Sequence, residues 1–300
     1  MLGHPFFFMT KQQNSYIYAG FSILAWSSVS TAFKLGLGHL SPVGLLFISS
    51  LVATGFLAIV NAFTCQGFAG FSRNAIRSIP AGFLNPYLYY VILFTAYSRL
   101  RAQEAQSLNY TWAIVLSVLM VVFMKESFRI KDMGALLISF VGVLVISTRG
   151  KVLSLSFDDA WGTALALGSS LVWALYWVVS LRDKRDNQQK LFYNFLIGSG
   201  FIMAHIIISK SQLLLSGATL RAAILSGVWV GIFEMGLTFL LWLKALQLTD
   251  NTAKISNMVF LTPFISMFFI QNILKEPIHP ATVIGLVLIV ASNLLQKSSL

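Results

Sequence analysis

The sequence predicts an all-α membrane protein: ten transmembrane helices arranged as a five-plus-five inverted-topology repeat. Three observations predict it. Of 300 residues, 57% are apolar and only 10% are charged, against about 25% charged in a soluble domain. The mean hydropathy is +0.77, so lipid is the natural solvent. Ten apolar stretches approach the roughly 20 residues that span a bilayer. The first half of the chain also matches the second at a spacing near 150 residues.

The stretches follow in order. Ser15–Phe33, Pro42–Phe63 and Ala81–Ser98 contain no Asp, Glu, Lys or Arg. Ala102–Met124 holds one acid, Glu104, near its start, and Asp132–Thr148 begins on one. Trp161–Leu181 and Phe192–Ser209 are again without those charges. Ala222–Leu243 has a lone carboxylate, Glu234, near its middle, and Thr252–Ile273 has Lys254. Ile278–Leu295 closes the series. The connectors are short and concentrate charge, as in KESFRIKD and RDKRDNQQK.

Lys and Arg sort the connectors into two sides. With the N-terminus inside, thirteen of the 21 fall on the inner side, Lys254 within its span among them, and eight on the outer, and the richest loop, Arg182–Lys190, is inside. The positive-inside rule then puts both termini in the cytoplasm. The same rule explains the net charge of +11 without nucleic acid, because the basic residues are scattered rather than gathered in a patch. One cysteine, Cys65, allows no intrachain disulfide. The N-terminus shows no cleavable signal pattern.

The repeat is read from four matches. Trp26 and Trp173 are 147 apart, in LAWSS and LVWAL. GFLN ending at Asn85 and GIFE ending at Glu234 are 149 apart. Lys125-Glu126 and Lys275-Glu276 are 150 apart, and Gly134 and Gly285 are 151 apart. This divides the chain into residues 1–150 and 151–300. Five spans per half is odd, so the second half enters the membrane from the opposite side. Secondary transporters are commonly built this way, with the substrate site near the midplane.

Ten spans, a five-plus-five repeat and a long span ending in KE before a Gly-bearing last span resemble the drug/metabolite transporter superfamily, EamA-type. AQEAQSLNYTWA, Ala102 to Ala113, looks like the fourth-helix stretch of the YddG-type aromatic amino acid exporters, as do LVWALYW and LAWSS. That branch has a proline where Ala113 stands, while the second half keeps one at Pro263, in FLTPF. The resemblance implies export of small organic metabolites, amino acids including aromatic ones, through a bacterial inner membrane. It also implies that Tyr110, Trp112 and Trp173 line a central cavity.

Glu234 is the sharpest candidate. Placing a charge at mid-bilayer costs at least about 2.5 kcal/mol, so such a residue faces a bundle interior or cavity, where acids serve as proton relays or counter-ions. Proton coupling is therefore expected. The structural alternative is an acid held by Lys254 or a hydroxyl. Asn85 is its repeat mate. The aromatic set is Trp26, Tyr87, Tyr90, Tyr110, Trp112, Trp173, Tyr176 and Trp177, while Tyr16, Trp161 and Trp229 fit an interfacial belt. Aromatic faces with a few amides, here Asn109 and Asn257, suit an amphipathic solute. The expected substrate-binding residues are Trp26, Asn85, Tyr110, Trp112, Trp173, Tyr176, Glu234 and Asn257.

Other residues carry plainer readings. Glu104 is expected in an interfacial ion pair with Arg99 or Arg101. His205 is expected as a hydrogen-bonded structural histidine. Glu126 and Glu276 are expected at the N-termini of the spans that follow them, with Pro277 at N1. Gly142, Gly198, Gly200, Gly227, Gly231 and Gly285 are expected at helix contacts. No Cys/His cluster, HExxH, nucleophile elbow or P-loop is present, so no metal, cofactor or catalytic set is expected. An intramembrane enzyme and a non-transporting membrane scaffold are the rival readings. The enzyme needs convergent catalytic side chains at one depth; the scaffold needs neither a repeat nor a midplane acid.

Overall fold

The computed structural model describes residues 10–64, 71–124, 130–154, 158–217 and 219–297. Cys65, Lys125 and Glu126 lie outside them. The fold is helical: α1 Lys11–Leu37, α2 Pro42–Thr64, α3 Phe71–Arg77, α4 Ile79–Gly82, α5 Tyr89–Arg99, α6 Ala102–Asn109, α7 Trp112–Met124, α8 Ile130–Ser147, α9 Ala160–Arg182, α10 Asn187–Ser209, α11 Leu220–Phe233, α12 Leu237–Leu248, α13 Thr252–Met258, α14 Thr262–Ile273 and α15 Pro280–Lys297. Among the described residues, seven helical runs are long and apolar enough to cross a membrane, from Pro42–Phe63 to Lys254–Ile273. Met133–Ser147 and Pro280–Leu295 are shorter apolar helices. The protein is an integral membrane protein.

Four of the runs are interrupted. Between α4 and α5, Phe83–Leu88 widens into a π-helical segment, with Asn85 extended at φ −143°, ψ 120°. Pro86 causes this: it removes an amide donor, clashes with the preceding turn and pushes the residue before it out of the α region. Between α11 and α12, Glu234, Met235 and Gly236 leave the helix, with Gly236 at φ −114°, ψ −90°. The Thr238 hydroxyl donates to the Phe233 carbonyl freed there. Between α6 and α7 the chain breaks at Tyr110 and Thr111, where the Thr111 hydroxyl donates to Leu108 O. Between α13 and α14, Val259–Leu261 tightens to a 3₁₀ turn just before Pro263. Side chains and tightened turns re-satisfy the freed backbone groups, as a lipid environment requires.

The packing is paired. α1 lies against α12 and α14, while α9 lies against α5 and α7. α2 lies against α11, while α10 lies against α4 and the π segment. α8 and α15 pack on each other. They approach closely because Gly142 and Gly285 face one another; a Cβ on Gly285 would stand 2.6 Å from Gly142 O. Gly227 and Gly231 sit against Ile48 and Val52 of α2. Gly200 differs from expectation, with nothing within 4 Å of a built Cβ.

Buried serines of α1 fasten it to the second half. Ser15 Oγ donates to Ala245 O at 2.8 Å and Ser27 Oγ to Thr262 O at 3.2 Å. Two further ties join connectors. Ser41 N donates to Leu213 O and Leu215 N to His39 O, both at 2.9 Å. Arg185 donates to Asn74 O and to Ser78 Oγ, both at 2.8 Å, and pairs with Asp183 at 2.6 Å.

Candidate functional site

The site is built around the α11–α12 interruption. Glu234 is half-buried at the end of α11. The hydroxyl of Tyr90, a fully buried residue of α5, donates to its Oε1 at 2.9 Å. Lys254 does not hold the acid: it is exposed, its ammonium 5.4 Å from the centre of the Tyr16 ring.

An aromatic wall runs from this bond. The Tyr90 ring meets Tyr89 edge-on at 4.7 Å, and Tyr89 lies 4.7 Å from Trp173 of α9. Trp173 stacks on Tyr176 at 5.4 Å and approaches Phe239 of α12 at 6.1 Å. Phe239 in turn meets Trp26 of α1 edge-on at 5.6 Å. Edge-on and offset contacts at these separations are favourable for π systems. The wall therefore draws on α1, α5, α9 and α12, two elements from each half of the chain. The Tyr89 hydroxyl donates to Asn109 Oδ1 at 3.3 Å, and Asn109 Nδ2 donates to Ser169 Oγ at 2.9 Å. That fixes the α6–α7 interruption to α9.

The expected residues divide. Trp26, Trp173, Tyr176 and Glu234 belong to one contiguous group through Phe239, Tyr89 and Tyr90. Tyr110 and Trp112 are half-buried and pack on the same apolar cluster. Asn85 is buried in the π segment beside Tyr176. Asn257 is exposed on α13. Tyr87 turns elsewhere, its hydroxyl 3.1 Å from His205 Nδ1, so His205 has the hydrogen bond expected of it. The aromatic set read from the sequence leaves out Tyr89, which the structure places between Tyr90 and Trp173. NPYLYY, with a proline that frees the backbone just before two tyrosines, was an available signal for it.

Charge collects at the helix ends. Glu104 pairs with Arg149 at 3.1 Å, not with Arg99 or Arg101 side chains. Arg149 also pairs with Asp158, and Arg99 with Asp159 at 2.9 Å. The Gly162 amide and the neighbouring Arg99 hold the Asp159 carboxyl below the usual carboxylate range. Glu276 corrects the sequence reading. α15 starts at Pro280, so Pro277 is not at N1. Glu276 accepts from Ala102 N at 3.2 Å and Gln103 Nε2 at 2.9 Å, so it serves the positive N-terminus of α6, a different span from the one that follows it. Beside it, Lys34, Leu37, Ser98 and Leu274 bound a surface recess of about 360 Å³. Among the described residues no three His, Cys, Asp or Glu side chains could hold a metal ion.

The model of the EamA-like transporter family matches residues 13–148 and again 160–296. An uncharacterized transporter from Archaeoglobus fulgidus is 23% identical over 92% of this chain and 95% of its own. The uncharacterized transporter YyaM from Bacillus subtilis is 23% identical over 93% and 92%. YvbV from the same organism, also named an uncharacterized transporter, is 24% identical over 91% and 88%. A solved structure superposes with a TM-score of 0.63 at 18% identity, covering 95% of this chain and 96% of that one.

Proposed function

Because the chain belongs to the EamA-like transporter family, we propose that it is a secondary transporter carrying small organic metabolites by alternating access. One observation carries this reading: an acid and an aromatic wall, drawn from both halves, meet at a helix interruption that has a counterpart in the other half. Asn85 and Glu234 are 149 residues apart, and so are Tyr110 and Val259. Interrupted helices at matched positions mark the substrate site in inverted-repeat transporters.

The same register supports ten spans in two halves, 1–150 and 151–300, related by an axis in the membrane plane. The packing partners of α1 and α9 exchange between halves, as any two-fold relation between them gives. The positive-inside count supports both termini on the cytoplasmic side of a plasma membrane. The substrate class we propose is amino acids, aromatic ones included, moved outward. Trp26, Asn85, Tyr110, Trp112, Trp173, Tyr176, Glu234 and Asn257 are its proposed contacts. The aromatic wall would receive an apolar body and Glu234 an ammonium group or a coupled proton.

The test is thermal stabilisation of the purified protein by a panel of amino acids, amines and bases, followed by flux in proteoliposomes. A stabilising compound that is also transported, with both effects weakened in Trp173→Phe, is expected. Absence of stabilisation and flux across the panel would overturn the proposal.

A further inference from the structure

A second group of buried polar atoms lies beyond the aromatic wall from Glu234. Asn85 is 1% exposed, and neither its Nδ2 nor its Oδ1 has a hydrogen-bond partner in the protein. Asn194 of α10 is equally buried, with its Oδ1 unpaired. The Tyr176 hydroxyl is the polar group that approaches both side chains, and Ser180 as well, without closing a short hydrogen bond to Asn85. These groups meet because α4 and α10 touch through backbone: a Cβ on Gly82 would stand 2.7 Å from Asn194 O and 3.0 Å from Gly198 N.

Leaving such groups unpaired is costly, and hydrocarbon offers nothing to satisfy them. The cluster has amide and hydroxyl donors and amide acceptors, and the nearby Asp183 carboxylate is already paired with Arg185. Arg185, the cation of the nearby connector, is occupied by Asp183, Ser78 and Asn74. The chemistry therefore suits an uncharged group that both donates and accepts, such as a phenol, an alcohol or a carboxamide. Rings lead from it to the acid, through Tyr176, Trp173, Tyr89 and Tyr90.

We propose that Asn85, Tyr176 and Asn194 form a second substrate subsite for the uncharged hydrogen-bonding end of an aromatic amine whose ammonium lies at Glu234. The amine half rests on the transport reading of Glu234; the hydroxyl half does not.

Two pairs of probes separate them. Tyramine and phenethylamine differ by a phenolic hydroxyl, and so do p-cresol and toluene, which lack the amine. Binding is measured on the purified full-length protein by calorimetry and thermal stabilisation. The wild type should bind tyramine about tenfold more tightly than phenethylamine, the size of one or two net hydrogen bonds. Asn85→Leu and Asn194→Leu should bind the two alike. Both variants should fold, read as a melting temperature close to that of the wild type, because leucine of similar size replaces an amide with at least one unpaired buried atom. Equal binding by the wild type, or a preference kept in both variants, overturns the proposal. If neither amine binds but p-cresol binds above toluene in an Asn85-dependent way, the subsite stands and the amine assignment falls. Absence of hydroxyl dependence in both pairs overturns the subsite itself.

Discussion

Glu234 is tolerated in the bundle because Tyr90 donates to it. That bond gives a sharp residue-scale comparison. Glu234→Gln keeps an oxygen that can accept from Tyr90 but cannot titrate. The variant should fold with unchanged stability, while pH-dependent flux in proteoliposomes should flatten. Equal pH profiles for the two proteins would make Glu234 structural only. Tyr90→Phe removes the donor and keeps the ring contacts with Tyr89 and Phe94. It should lower stability by about 1 kcal/mol, the net worth of a hydrogen bond to a half-buried acceptor, and Glu234→Gln in the same background should recover part of it. The acid was legible in the sequence because a lone carboxylate in an apolar run has few explanations. Its donor was not, because it lies 144 residues earlier and belongs to another helix. Trp173 was legible as a large aromatic in mid-span, but its neighbours Tyr89 and Phe239 depend on how three helices meet.

At the scale of elements, close approach and capping decide stability. α8 and α15 touch backbone to backbone at Gly142 and Gly285. Gly285→Ala should force them apart and cost about 1–3 kcal/mol as overpacking, read as a drop in melting temperature. Gly200→Ala is the control: with nothing within 4 Å, it should be neutral or stabilising by removing a flexible helical glycine. Both glycines looked alike in the sequence, since spacing alone does not say which face of a helix meets a neighbour. α9 begins at an Asp159 cap, whose side chain accepts from Gly162 N at 2.7 Å. Asp159→Ala should cost about 1 kcal/mol at neutral pH. Its carboxyl sits below the usual range in the fold, so this stabilisation is full above about pH 4, the unfolded value, and fades as pH falls through the lower folded value. The gap between wild type and variant should therefore shrink in acid. The interruption at Asn85 was readable from Asn-Pro, whereas that at Tyr110 has neither Gly nor Pro to announce it.

At the scale of the whole molecule, the repeat was legible where a residue type was rare. The Asn85–Glu234 register lands on two interruptions. The Gly134–Gly285 match does not share an environment: Gly134 has open space beside it, while Gly285 meets Gly142. Sequence register therefore finds the interrupted helices better than the tight contacts, because packing pairs residues across halves rather than copying them within each. The connector ties extend the argument. The α1–α2 connector joins the α10–α11 connector through Ser41, Leu213, His39 and Leu215. The α9–α10 connector joins the stretch before α4 through Arg185, Ser78 and Asn74. If the halves are inverted, these two ties are counterparts on opposite membrane faces. A parallel repeat would put them on one face. The test starts from a Cys65→Ser background, which removes the only cysteine. Single cysteines then go to two exposed connector positions, Lys184→Cys and Ser216→Cys. In intact cells a membrane-impermeant thiol reagent should label the cysteine at 216 and reach the one at 184 only after the membrane is opened. Labelling of both from outside would rule out the inverted arrangement. The reverse pattern, 184 labelled and 216 protected, would keep the inversion but place both termini outside.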